Sequence, residues 1–188
     1  SLVSPGNWLF EDLKSRLIGV YEDIGDLPGF VRYLQAKLES EPNDLEFRDL
    51  LADTLMRQKK HQAAEKEYRF ILKRNPRHVP TWEKLLALHQ KRENREQVIE
   101  TFEQLVSLNP RDPDYIRRLG SFHLKHKNQD EPSRTWRRIV AGNPGPEHWA
   151  ELGAWFESAE LLNEAAEAFG KALQLRSDKE WTLRLADL

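Results

Sequence analysis

The chain has 188 residues, of which 32% are charged and 39% hydrophobic, with 9 glycines and a formal charge of -2. This balance suits a mostly helical protein with a packed core, and excludes a disordered tail or a molecule whose overall charge attracts nucleic acid. The absence of cysteine excludes disulfides, thiol catalysis and Cys-ligated metal sites.

No apolar run approaches the ~20 residues needed to cross a bilayer, so no membrane partner is expected. The chain starts at Ser1, as a processed or cut chain would, and a targeting signal could have preceded it. A soluble protein is expected, with the cytoplasm as the default compartment.

Along the chain the apolar residues recur at helical spacing, punctuated by proline. Leu17, Tyr21, Gly25 and Leu34 precede Pro42. Within this segment "GDLPGF" (Gly25 to Phe30) predicts a second helix that starts late and is short. Next come Phe47, Leu50, Leu51, Ala52 and Leu55, which share one helix side, followed by Ala64, Tyr68, Ile71 and Pro76. Trp82, Leu85, Phe102 and Leu105 lead to Pro110, and Leu119, Gly120, Trp136 and Ile139 lead to Pro144. In the fourth segment Pro132 predicts a late, short second helix, with Asp130 as its cap. The fifth segment carries Trp149, Leu152, Gly153, Phe156, Ala165, Phe169 and Ala172, and begins one residue early. Ser177-Asp178 stands where its proline would fall. Trp181, Leu185 and Leu188 then form one last apolar face.

Pro42, Pro76, Pro110 and Pro144 are spaced by 34, 34 and 34 residues. Proline lacks an N–H and pushes the preceding residue out of the helical region, so each closes a helix. With "WAELGAWF" (Trp149 to Phe156) as the best copy, the pattern resembles the tetratricopeptide repeat. The resemblance implies an all-α, right-handed superhelical solenoid of helix-turn-helix repeats. It divides a single domain, 1–188, into repeats at about 7–44, 45–78, 79–112, 113–145 and 146–179, with 180–188 as a capping helix or the start of a sixth repeat.

In this family a concave groove lined by the first helix of each repeat binds an extended peptide or a partner helix. Carried over by register, the second repeat contributes Glu46, Asp49, Asp53 and Arg57, and the third Glu83, Lys84, Gln90 and Lys91. The fourth contributes Asp114, Arg117, Arg118, Ser121 and Lys125, and the fifth Glu147, Glu151 and Glu157. The expected groove runs acidic, basic, acidic, and its basic centre suits an acidic protein or peptide. The chaperone-tail clamp known in the family is not expected, because Asp49, Asp53, Glu83, Ala87, Arg117 and Ser121 hold its Lys and Asn slots.

Other constellations have plainer readings. "RTWRRIV" (Arg134 to Val140) mixes basic and aromatic residues, but Trp136 falls in a core slot, so no nucleic acid is expected. His123 and His126 could offer two metal ligands, yet His123 and His89 share the core slot of Tyr21, Leu55 and Phe156. No phosphate loop or nucleophile elbow is present, so neither catalysis nor a cofactor is expected. The alternative to a peptide scaffold is a slice of a longer solenoid, or a self-associating module. It would pack through Trp8, Leu9 and Phe10 at one end and Trp181, Leu185 and Leu188 at the other.

Overall fold

The computed structural model describes residues 8–110, 112–127 and 131–188, with side chains from residue 12 onward. Asp130 and the side chains of Trp8, Leu9 and Phe10 lie outside the described set. The chain forms two compact units, Ser1–Leu108 and Asn109–Leu188.

The first unit holds three helix pairs: α1 (Trp8–Asp23) with α2 (Leu27–Ser40), α3 (Leu45–Arg57) with α4 (His61–Arg74), and α5 (Val79–Lys91) with α6 (Arg95–Leu108). The second holds α7 (Pro113–Lys125) with α8 (Glu131–Trp136), α9 (Pro146–Ser158) with α10 (Leu162–Leu175), and α11 (Lys179–Asp187). This is an all-α, helix-turn-helix repeat architecture. Among the described residues there is no strand, and no helix is long and apolar enough to cross a membrane.

Pro42 and Pro76 close helices as their chemistry requires, whereas the turn before Pro144 already ends at Val140. Glu41 and Asn75, each before a proline, leave the helical region at φ -129°, ψ 66° and φ -129°, ψ 79°. The freed proline carbonyls are reused one repeat apart. Arg48 Nη2 donates to the Pro42 oxygen at 2.7 Å, and Trp82 Nε1 to the Pro76 oxygen at 2.8 Å.

The turn inside each pair has a second period that proline does not mark. Gly25, Lys59, Glu93, Lys127 and Glu160 all take positive φ, between 54° and 75°. In the second pair Lys60 N–H returns to the Leu55 oxygen at 2.9 Å and Lys59 N–H to the Met56 oxygen at 3.0 Å, a Schellman closure of α3. Four of the five left-handed positions carry a side chain that disfavours this conformation. Glu93→Gly is therefore expected to raise unfolding stability by about 0.5–1 kcal/mol, read from the denaturant midpoint.

Packing follows the expected slots except at Leu17, which is exposed where its counterparts Leu51, Leu85, Leu119 and Leu152 are buried. In the first unit Phe30, Leu34, Ala52, Ala64, Tyr68 and Leu85 are buried together. In the second, Leu119, Trp136, Leu152, Phe156, Phe169 and Ala172 are buried. Trp136 donates Nε1–H to the Arg117 carbonyl at 3.1 Å, and its ring meets Phe156 edge-on at 5.7 Å. The neighbouring arginines lie outside this core: Arg134 is exposed, and Arg137 pairs with Glu167 at 2.9 Å.

The two prolines expected to delay a second helix behave differently. Pro132 lies in a helix of only 6 residues, which tightens into a 3-10 turn over Arg137–Val140. Pro28 does not shorten α2, which runs for 14 residues. Asp26 caps that helix by accepting from Gly29 N–H at 2.9 Å, and Pro28 sits in the first turn. There its missing N–H removes no helical bond, so the expectation of a late, short helix from "GDLPGF" is corrected.

At the C-terminus Asp178 caps α11 by accepting from Glu180 N–H at 2.9 Å. Trp181 is buried, while Leu185 and Leu188 are half-buried. Arg184 spreads over the Phe169 ring at 4.8 Å and pairs with Glu157.

Candidate functional site

In the first unit α3 and α5 present the charged slots that register assigned to the groove, and α1 lies beside them. Asp49 and Asp53 are one helical turn apart on α3, so both carboxylates point the same way. Lys84 of α5 reaches between them, with Nζ 2.8 Å from both oxygens of Asp49 and 2.8 Å from Oδ2 of Asp53. From the other side Lys14 of α1 pairs with Asp49. Tyr68 of α4 donates its hydroxyl to Asp53 Oδ1 at 2.7 Å. Among the described residues, three successive first helices are thus tied by two cations and two anions.

Burial and pairing pull these groups in different directions. Burial favours the neutral acid at Asp49, but Lys84 and Lys14 outweigh it and hold the carboxyl below its ordinary value. At Asp53 burial and then the nearby Asp49 charge prevail over Lys84, so its carboxyl is raised. Burial favours the neutral amine at Lys84, yet the two carboxylates override it and raise its affinity for the proton.

Beside this network lies an open groove of about 490 Å³. Ile18, Met56 and Ala87 line it with apolar groups, Ser15, Tyr68 and the Asp53–Lys84 pair with polar ones, and Arg57 and Lys91 add positive charge. Arg57 has one distant pairing, with Glu22 at 3.6 Å. Lys91 is exposed and has no ion-pair partner among the described residues. Of the register-assigned residues here, Asp49, Asp53 and Lys84 are joined in the network, and Lys91 stands apart from it.

In the second unit Arg117, Arg118 and Lys125 lie on α7. Asp114 holds Arg117 at 2.5 Å and Arg118 at 3.5 Å, and the Arg118 guanidinium lies 5.6 Å from the Tyr115 ring centre. Lys125 is exposed, without an ion pair among the described residues. On α9, Glu147 pairs with Arg176 and Glu157 with Arg184, while burial raises the Glu151 carboxyl. His89 and His123 are core groups, while His126 is half-buried. His123 is buried, and His89 is buried with Nδ1 3.0 Å from the Thr101 hydroxyl. Among the described residues no group of three or more His, Asp or Glu side chains is placed to hold a metal ion.

No family model matches the sequence, and no curated protein matches it. Solved structures do. A tetratricopeptide repeat protein from Parabacteroides merdae is 18% identical and superposes with a TM-score of 0.55 over 95% of this chain and 71% of that one. MamA residues 41 to the end, from Desulfovibrio magneticus RS-1, is 21% identical with a TM-score of 0.52, covering 90% of this chain and 97% of that one. Another MamA structure is 19% identical with a TM-score of 0.53, over 91% and 94%.

The chain has the tetratricopeptide fold.

Seen in this tetratricopeptide frame, the site residues that sequence reasoning missed are Lys14, Ile18 and Met56, whereas Ala87 was already in a groove slot and Tyr68 in a core slot. Lys14 had a signal available. It stands 35 residues before Asp49, which stands 35 before Lys84, so opposite charges recur one residue beyond the repeat period. That offset marks a pair between adjacent first helices rather than a free surface charge. The apolar members had none, because at helical spacing they match any half-buried position.

Proposed function

We propose that the chain is a non-catalytic protein-interaction scaffold that holds an extended peptide or a partner helix in the groove of α1, α3 and α5. The observation that carries the reading is the groove itself. It pairs apolar walls of Ile18, Met56 and Ala87 with the positive charges of Arg57 and Lys91.

Within it the charge of Lys84 is returned by Asp49 and Asp53, so Lys84 sets the shape of the base and Lys91 and Arg57 supply the net charge. A segment with an apolar side chain next to an acidic one fits both features. Arg117, Arg118 and Lys125 offer further positive charge on α7 to the same class of acidic partner.

The test is a random-peptide display library panned on the intact chain, with the enriched peptides synthesised and titrated. Peptides with acidic and apolar residues are expected. Ala87→Trp, which fills the groove from an exposed position, should weaken them at least tenfold, about 1.4 kcal/mol. Lys91→Glu should weaken the acidic ones selectively. Enriched peptides that bind both variants as they bind the parent chain would place recognition elsewhere and defeat the reading.

A further inference from the structure

Helix α1 buries one face and exposes another. Lys14 and Ile18 are buried and Tyr21 stacks on Phe30 at 4.2 Å, so these three face inward. About a quarter-turn around the helix, Leu13, Leu17 and Val20, with Ile24 one residue past its end and still donating its N–H to the Val20 oxygen at 3.1 Å, are 50%, 41%, 55% and 66% exposed. Their spacing of 4, 3 and 4 is the seam of a helix that packs on another helix, knobs into holes.

The same face carries both halves of such a contact. Leu13 and Leu17 of α1, with Phe47 and Leu50 of α3, give apolar walls to a hollow of about 250 Å³ that Lys14, Asp44 and Glu46 also line. Ile24, the most exposed member of the stripe, is eleven residues from Leu13, about 16 Å along the axis. A knob and a hole at opposite ends of one stripe are self-complementary under a two-fold axis.

We propose that α1 is a self-association surface that pairs antiparallel with α1 of a second copy. Ile24 of each copy enters the hollow at Leu13 of the other, and Leu17 meets Val20 of the second copy. The charges agree with this direction. Arg16 and Asp23 flank the stripe on its solvent side, and within one copy Arg16 pairs with its neighbour Asp12 at 2.8 Å. Antiparallel pairing sets Arg16 beside Asp23 of the second copy, twice by symmetry. Parallel pairing sets Ile24 against Ile24, away from the hollow, and leaves both charges unanswered. This inference is independent of the groove, which opens on a different part of the first unit.

Sedimentation and light scattering from about 1 µM to about 1 mM test it. One helix pair is a small interface, so a dissociation constant of roughly 10–100 µM is expected. Ile24→Asp should weaken dimerisation at least tenfold with an unchanged helical circular dichroism spectrum. The chain has no cysteine, so Arg16→Cys combined with Asp23→Cys should cross-link copies on mild oxidation, far more than either single variant. A monomer at every concentration overturns the proposal, as does a dimer indifferent to Ile24→Asp. Single-cysteine variants that cross-link as well as the double one overturn the antiparallel arrangement.

Discussion

Replacing Lys84 with methionine is expected to destabilise the first unit by about 2–3 kcal/mol, less than the ~3–5 kcal/mol of a fully buried pair because this charge set is half-buried. Lys84 holds Asp49 and Asp53 together from 2.8 Å. Without it Lys14 still serves Asp49, but Asp53 keeps only the Tyr68 hydroxyl, and the two carboxylates repel across a poorly solvated gap. The loss thus comes from stranding Asp53, more than from any large net strength of the ion pair. Lys84→Met combined with Asp53→Asn should recover at least half of it, since Asn still accepts from Tyr68 and carries no charge. A double variant no more stable than Lys84→Met alone would show that packing of the lysine stem is responsible instead.

The pH dependence has a definite sign for each group. The raised proton affinity of Lys84 adds stability that is complete below its ordinary pKa of 10.5 and is lost as pH rises through the folded value. The lowered Asp49 adds stability present above 3.8 and lost as pH falls through its folded value. Asp53 is raised, so its contribution runs the other way and declines as pH climbs from 3.8 through its folded value. Removing Lys84 raises Asp53 further. The cost of Lys84→Met, read from urea midpoints at several pH values, should therefore be largest near neutrality and shrink in mild acid, where Asp53 takes up a proton.

The second large effect is a contrast between two glycines. A Cβ on Gly120 would lie 2.0 Å from Trp136 Nε1 and 2.3 Å from Cδ1. Trp136 cannot retreat cheaply. It is buried, and its N–H is bonded to the Arg117 carbonyl one helix away. Gly120→Ala should therefore cost about 2 kcal/mol, after subtracting the roughly 0.5–1 kcal/mol that alanine adds to a helix interior. Gly170, inside α10, has nothing within 4 Å of such a Cβ. There Gly170→Ala should stabilise by about 0.5–1 kcal/mol. Thermal unfolding of the two variants should shift in opposite directions; a neutral Gly120→Ala would mean the α7–α8 contact is looser than its geometry.

These glycines also show how far a sequence can be read. Gly120 and Gly153 were legible as close-approach slots, because each stands at the same place in its repeat and a large aromatic follows sixteen residues later. The left-handed turn residues were not. A non-glycine residue tolerates that conformation at a modest cost, so Lys59, Glu93, Lys127 and Glu160 leave no compositional trace. Pro28 and Pro132 look alike in the chain, yet one opens a full-length helix and the other a six-residue one. Proline restricts the start of a helix and is silent about its length.

What this sequence determined by itself was the set of helices, their pairing and the register of their slots. Those follow from local chemistry: proline punctuation, helical spacing of apolar groups, and the small residues that let two helices touch. Only the tertiary structure decided which of the register-assigned charges remain available. In the sequence Asp49, Asp53 and Lys84 are three separate groove contacts, and the fold joins them with Lys14 and Tyr68 into one network. The reason is physical. A charge in a helical slot is set by the residue at that position, but its neutralisation depends on what a helix some 35 residues away places within 3 Å of it.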